Sequence, residues 1–523
     1  MKLGSAWIRL CVFAVAVALA GCASLPPPVA QTPTHAPTDV ANTRLARVAR
    51  AGAPATSPAL SGFRLLPEGA TAFDARLALV RNAERSIDAQ YYILSNDSTG
   101  LLFLRELNDA AHRGVRVRLL VDDLYTSGKD ELLALLAAQP NFEVRVFNPL
   151  PVHFGPLALR IALSLHDLRR IDRRMHNKLL VADNSLAMTG GRNIADEYFM
   201  HSDTANFIDM DVLASGPVVR ELSDSFDDYW NSPQVWPIGS LVPRPVGDAA
   251  QRAERLAMLL HGALSSLAEP SVDVLGNTPV GQQIAAGRLA QTWADARVLA
   301  DIPEKITYDN PEARFEDSVT QRTVAIMLGA QSEVTMISPY FIPGDNGMKV
   351  LEDSVRRGVR VDVLTNALDA TDESLVYAGY ARYRLAMLKA GIHIYELGGT
   401  LARRDRQLGD FRSSSGRLHA KIAVVDHRRL FVGSMNLDGR SARLNTEIGL
   451  VIDSPDLTAQ FYTLMPAREL GAYELRLDAA GALEWVEHDV DGSDKVIRDE
   501  PGASLFQRVT DWLLLKVVPE GAL

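Results

Sequence analysis

Cysteine is nearly absent from this 523-residue chain: there are 2, Cys11 and Cys22, both near the N-terminus. The remaining sequence therefore offers no thiol nucleophile, no thiolate metal ligand and no disulfide, and its stability has to come from core burial. Positive charge is also scarce. Lys and Arg number 54 against 64 Asp and Glu, a formal charge of −10, and no basic stripe interleaved with aromatics occurs, so nucleic acid is not expected as a partner. No H-E-x-x-H or other zinc-type histidine cluster is present, and neither a metal nor another cofactor is expected. The apolar run at residues 10–20 has roughly half the length a bilayer span requires.

That run follows Lys2 and Arg9 and ends in Leu19-Ala20-Gly21-Cys22. The pattern is that of an export signal over residues 1–21, and the tetrapeptide resembles a bacterial lipobox. The resemblance implies acylation of Cys22 and a membrane-surface, periplasm-facing location. Ala23 rather than Asp after the cysteine favours the outer membrane. Residues 22–58 are rich in Pro, Ala and Thr with no apolar period, and are expected to form an extended tether.

What dominates the sequence is a repeated phrase. His176-Asn177-Lys178, Asp183 and Gly190-Gly191-Arg192-Asn193 reappear as His419-Ala420-Lys421, Asp426 and Gly433-Ser434-Met435-Asn436, with the His pair and the Asn pair each 243 positions apart. Arg113-Gly114-Val115-Arg116-Val117 and Arg357-Gly358-Val359-Arg360-Val361 repeat at nearly the same offset. The chain thus divides into a first lobe at 59–240, a connecting segment at 241–300, a second lobe at 301–475 and a C-terminal extension at 476–523. Within the extension, residues 505–518 form an amphipathic segment that fits either a membrane interface or its own domain.

In each phrase the His and Lys stand two apart, so on a strand both leave the same face. The Asp then ends the strand at a turn, before a returning partner. Asp183 and Asp426 fit a turn position as well as direct participation; they join His176, Lys178, Asn193, His419, Lys421 and Asn436 as candidate catalytic residues. This set suits phosphodiester exchange through a phosphohistidine. One imidazole attacks phosphorus, the other protonates the departing alcohol, and lysine and asparagine donors meet the phosphoryl charge. A neutral attacking imidazole needs its far nitrogen held by an acceptor. Asp209 and Glu447, each eight residues before a proline in matching contexts, fit that role or a surface salt bridge.

These motifs resemble those of the phospholipase D superfamily over nearly all of residues 60–523. Tyr91-Tyr92, Arg173-Arg174-Met175-His176, Asn193-Ile194-Ala195-Asp196-Glu197-Tyr198-Phe199, Ser338-Pro339-Tyr340-Phe341, Tyr380-Ala381-Arg382 and Leu444-Asn445-Thr446-Glu447 are similar to the bacterial cardiolipin synthase C-type branch. The resemblance implies an α/β fold: two duplicated lobes, each a mixed β-sheet flanked by helices, forming one active site at their interface. It further implies transfer of a phosphatidyl group onto phosphatidylglycerol, with phosphatidylethanolamine as donor, Asp209 and Glu447 orienting the histidines, His176 as nucleophile and His419 as first acid. Arg382 is expected to hold an acceptor phosphate; Arg169, Arg170, Arg173 and Arg174 fit either a head group or a solvated loop. Spacing leaves open whether an alcohol or water accepts the phosphatidyl group, and whether the substrate is a lipid or another phosphodiester. It names no protein partner.

Overall fold

The structure is a computed structural model that describes residues 25–27, 29–263, 272–402, 411, 413–465, 471–488 and 493–503. The first half contributes β1 (Ser61–Leu66), β2 (Ser86–Tyr91), β3 (Arg116–Asp122), β4 (Phe142–Phe147), β5 (Leu179–Ala182), β6 (Leu186–Gly190), β7 (Ala205–Ile208), β8 (Asp211–Ser215) and β9 (Val235–Pro237). The second contributes β10 (Thr292–Ala300), β11 (Glu333–Ile337), β12 (Arg360–Asn366), β13 (His393–Leu397), β14 (Ser415–Leu418), β15 (Ile422–Val425), β16 (Arg429–Gly433), β17 (Ile448–Asp453), β18 (Ala472–Leu477), β19 (Leu483–His488) and β20 (Asp494–Ile497).

Apart from β7 and β14, these strands pair into one continuous sheet. Antiparallel pairing of β1 with β10 joins the halves. Outward from that junction runs β8-β6-β5-β2-β3-β4 on one side and β17-β16-β15-β11-β12-β13 on the other. Each half therefore holds a parallel three-strand block followed by an antiparallel hairpin, the same arrangement twice. Gly114 and Gly358, at φ +93 and +85, end the helix before the second parallel strand in each half, where an L side chain would be strained. The helix at Ser98–His112 is capped by the Asp97 carboxylate, which accepts Gly100 N.

One apolar cluster belongs to the first half, around Phe73, Leu79, Leu104 and Leu119, and another to the second, around Val361, Tyr380 and Met387. The third is shared: Leu120, Met175, Leu179, Phe226 and Trp230 pack with Ile337, Leu364, Leu418, Ile422 and Leu450. Burial of this mixed core fuses the halves, and β7 and β14 pair parallel across the same boundary.

Several boundaries differ from the sequence reading. Residues 29–58 are not a free tether. Thr34 N donates to Asn231 at 3.0 Å, Ala36 N donates to Asp227 at 2.9 Å, and Arg118 and Arg116 donate to the carbonyls of Thr34 and His35. A helix at Arg44–Ala51, capped by Thr43, buries Leu45, Ala46, Val48 and Ala49. An extended Pro/Thr segment cannot bond to itself, so its backbone groups find side chains on the body. β10 lies inside the expected 241–300 connection yet is a sheet strand, and β18 to β20 make residues 476–488 and 494–497 part of the sheet of the second half rather than an appendage. The export signal, Cys22 and the amphipathic segment at 505–518 lie outside the described residues.

The two hairpin aspartates are structural. Asp183 (φ +50) and Asp426 (φ +54) sit in the turns, at the end of β5 and β15 away from the His and Lys. The Asp183 carboxylate accepts the N–H groups of Glu84, Arg85 and Ser86; that of Asp426 accepts those of Gln331, Ser332 and Glu333. Each staples a hairpin to the start of the first parallel strand, which corrects their candidacy as catalytic groups. Asp183→Ala is expected to lower stability by about 3 kcal/mol, because the turn is buried and its donors are left unmet. The more accessible Asp426→Ala should cost about 1 kcal/mol. Urea unfolding measures both, and a fully stable Asp183→Ala protein without turnover would show direct participation instead.

Candidate active site

The His-x-Lys segments lie just before the hairpin strands rather than within them, each held by the opposite half. His176 N donates to Thr446 O at 2.9 Å and His419 N to Ile208 O at 2.7 Å. The carboxylates cross over as well. His176 Nδ1 is 2.9 Å from Glu447 Oε2, and His419 Nδ1 is 2.6 Å from Asp209 Oδ2. An ionised carboxylate only accepts, so each imidazole carries its proton on Nδ1 and presents Nε2 as a lone pair. Neither half contains a complete His–carboxylate unit.

The supports of the two carboxylates explain a difference between the repeats. A Cβ on Gly191 would stand 2.1 Å from Asp209 Oδ1, so only glycine admits this short acid. At the matching position 434 the longer Glu447 leaves room for a serine, and Ser434 Oγ donates to Glu447 Oε2. Ser441 Oγ donates to the other oxygen at 2.7 Å. Ser434 and Ser441 were not singled out from sequence; the Gly-Gly against Gly-Ser difference was the available signal.

Both lysines are buried, each donating from Nζ to the carbonyl of its own histidine. Lys178 also lies 5.3 Å from the Tyr92 ring centroid, and that ring meets His176 edge-on at 5.0 Å. Tyr198 and Phe207 flank His419 at 5.1 and 4.9 Å. Asn193 Nδ2 donates to Tyr198 Oη at 2.8 Å while its Oδ1 accepts from Ile93 N. Asn436 lies buried, with Oδ1 lacking a partner among the described residues. Arg174 is fully engaged with Asp122 and backbone carbonyls, and Arg173 donates to Ile306 O, which removes Arg174 as a head-group ligand. Arg382 is partly exposed on the helix at Ser374–Lys389.

Burial sets the protonation states. It pushes His176 down to about 4 against the pull of Glu447, helped by the ammoniums of Lys178 and Lys421. His419 is likewise brought to about 4 by burial and Lys421, against Asp209. Burial lowers Lys421 to about 8 and Lys178 well below the usual lysine range. Burial opposes ionisation of Asp209, but His419 and Lys421 outweigh it and hold the acid at about 2. The site is thus a buried cluster of neutral imidazoles, paired anions and cation donors, suited to an arriving phosphodiester anion. Among the described residues, no group of three or more His, Cys, Asp or Glu side chains is arranged to hold a metal ion.

Comparison with known proteins agrees with this geometry. A family model described as "Cardiolipin synthase, PLD-like domain" matches residues 77–230 and 324–466. Cardiolipin synthase C of Escherichia coli is 37% identical over 470 residues, covering 87% of this chain and 97% of the relative. Cardiolipin synthase A of Pseudomonas fluorescens is 26% identical, covering 79% and 69%. The crystal structure of phosphatidylserine synthase from Haemophilus influenzae superposes with a TM-score of 0.56 at 14% identity, covering 88% of this chain and 95% of that one, a likeness of fold.

The crossed pairs make each acid essential to the histidine of the other repeat. Glu447→Gln and Asp209→Asn should each reduce phosphodiester turnover by about 10²- to 10⁴-fold with little change in fold, since the amide cannot stabilise an imidazolium or fix its tautomer. Retention of half the rate in either would refute a single crossed site. The histidines also predict acid sensitivity. Their folded values near 4 lie below the ordinary 6.5, so the unfolded chain binds more protons between those values. Stability should fall as pH drops from about 6.5 to 4, by roughly 3 kcal/mol per histidine. Denaturant titrations at pH 7 and 4.5 measure this loss, and it should shrink in His176→Asn.

Proposed function

The chain belongs to the phospholipase D-like cardiolipin synthase family, and from that membership together with the crossed histidine pairs we propose that it forms cardiolipin by phosphatidyl transfer. The donor is a phospholipid, with phosphatidylethanolamine favoured, and the acceptor is the terminal glycerol hydroxyl of phosphatidylglycerol. His176 Nε2 attacks phosphorus. The negative charge of the bound phosphodiester draws a proton from solvent onto His419 Nε2; as the bond from phosphorus to the head-group oxygen breaks, His419 gives that proton to the departing alcohol. The phosphoryl charge is met by Lys178 and Lys421 and by the amides of Asn193 and Asn436. In the second step His419 takes the proton of the acceptor hydroxyl, whose oxygen attacks phosphorus as the bond to His176 breaks, which restores both imidazoles.

The single observation that carries this reading is that each histidine is oriented by the other half's acid. One imidazole attacks while the other holds a proton, and both must stand at a common phosphate. Assignment of attack to His176 rests on family resemblance. Seclusion favours an alcohol over water: His176 and His419 are 7% and 5% exposed. Water at about 55 M must be excluded for a positioned hydroxyl to compete.

Purified protein given phosphatidylethanolamine and phosphatidylglycerol should yield cardiolipin as the main product by lipid mass spectrometry. His176→Ala and His419→Ala should each remove it while unfolding normally. Phosphatidic acid as the main product would make the protein a hydrolase, and DNA cleavage without lipid turnover would refute the lipid reading. We further propose that the chain is a periplasm-facing lipoprotein held through Cys22, on its lipobox resemblance. Labelled fatty acid should enter the protein and be lost in Cys22→Ser; an unlabelled, uncleaved wild-type chain would refute it.

A further inference from the structure

The two halves treat one arginine differently. In the first half Arg174, two residues before His176, is 1% exposed and is gripped by Asp122, with Nε–Oδ1 at 2.8 Å and Nη2–Oδ1 at 2.6 Å. Its other donors meet the carbonyls of Ile171 and Asn148. Asp122 ends β3 and also accepts Met175 N at 2.9 Å. The matching residue at the end of β12 is Asn366. Its Oδ1 accepts Leu418 N at 2.8 Å, repeating the backbone contact, but its Nδ2 donates to Leu418 O at 2.9 Å. An amide spent in this way offers no charge to a guanidinium.

The counterpart of Arg174 is Arg417, two residues before His419. Its Nε is buried without a hydrogen-bond partner among the described residues, and the rest of the side chain is half-exposed. Glu197 feels its field without forming an ion pair with it. Arg417 stands in register with Phe207 across the β14–β7 pair, and directly paired residues share a face of the sheet. The Phe207 ring packs on His419. One carboxylate-to-amide difference between the repeats has thus released an arginine on the face of the site where His419 lies.

We propose that Arg417 binds the phosphodiester that the acceptor lipid carries already, holding its free hydroxyl against His419. This rests on the transfer reading above and deepens it. A two-step exchange between lipids involves two phosphates: the one transferred meets the lysines and asparagines, while the acceptor's own phosphate needs a separate cation. Arg417 supplies a bidentate donor for it, and the near-twofold repeat becomes asymmetric as unlike substrates require.

The test compares acceptors with and without a phosphate. For Arg417→Gln the KM for phosphatidylglycerol should rise about tenfold or more, whereas the KM for glycerol as acceptor should move by less than about twofold on the same scale. Asn366→Asp should mimic this change, by recapturing Arg417 as Asp122 holds Arg174, without removing the arginine. Equal shifts for both acceptors, or no shift for either, would overturn the assignment. Phosphatidic acid alone from the unmutated protein would instead refute the transfer reading. Calorimetry of short-chain phosphatidylglycerol binding to His176→Ala keeps Arg417 testable in that case: weaker binding after adding Arg417→Gln is expected, and unchanged affinity would refute the site.

Discussion

The crossed hydrogen bonds His176–Glu447 and His419–Asp209 are the constraint on which the remaining architecture depends. A buried imidazole needs an acceptor on Nδ1 to hold its tautomer, and a buried carboxylate needs donors to stay ionised. Each half supplies one member of each pair. Separating the halves would strand four ionisable groups, so the duplicated lobes must be rigidly joined. The shared apolar core, the β1–β10 junction and the β7–β14 ladder do that joining.

The same arrangement explains how so much charge is tolerated in a buried site. Lys178, Lys421, Asp209 and Glu447 are all at most 1% exposed, and burying any one alone would cost several kcal/mol. They neutralise one another in alternation. Backbone groups complete the neutralisation, with Met210 N donating to Asp209 and the lysines donating to the carbonyls of His176 and His419. Depressed basicity of both histidines follows from burial. A phosphodiester anion entering this field meets donors that need no reorganisation.

Duplication supplied two similar halves, and small departures from symmetry made them unlike. Gly191 against Ser434 accommodates a short acid on one side and a longer one on the other. Asp122 against Asn366 fixes one arginine and releases its counterpart. Neither departure disturbs the backbone contact its position makes: Gly191 N and Ser434 N donate to the carbonyls of Met210 and Ile448, and Met175 N and Leu418 N find the side-chain oxygens of Asp122 and Asn366. The repeats thus differ at side-chain atoms while keeping the same backbone contacts.

Residue type and local spacing were enough to read the repeat and its paired histidines, lysines and asparagines from the sequence, while Asp209 and Glu447 stood open between orienting the histidines and a surface salt bridge. The sequence left Asp183 and Asp426 ambiguous, since a turn aspartate and a catalytic one look alike until their acceptor atoms are followed to the N–H groups at residues 84–86 and 331–333. It misread residues 29–58, whose backbone is satisfied by partners up to about 200 positions away, such as Asn231 for Thr34. Only the tertiary structure decided that each acid serves the histidine of the opposite repeat, and that Arg174 is held while Arg417 is not. The histidine–acid pairings are set by which strand ends meet across the shared core, 271 and 210 positions apart, and the grip on Arg174 by a strand end 52 positions away, so local sequence carries no record of either.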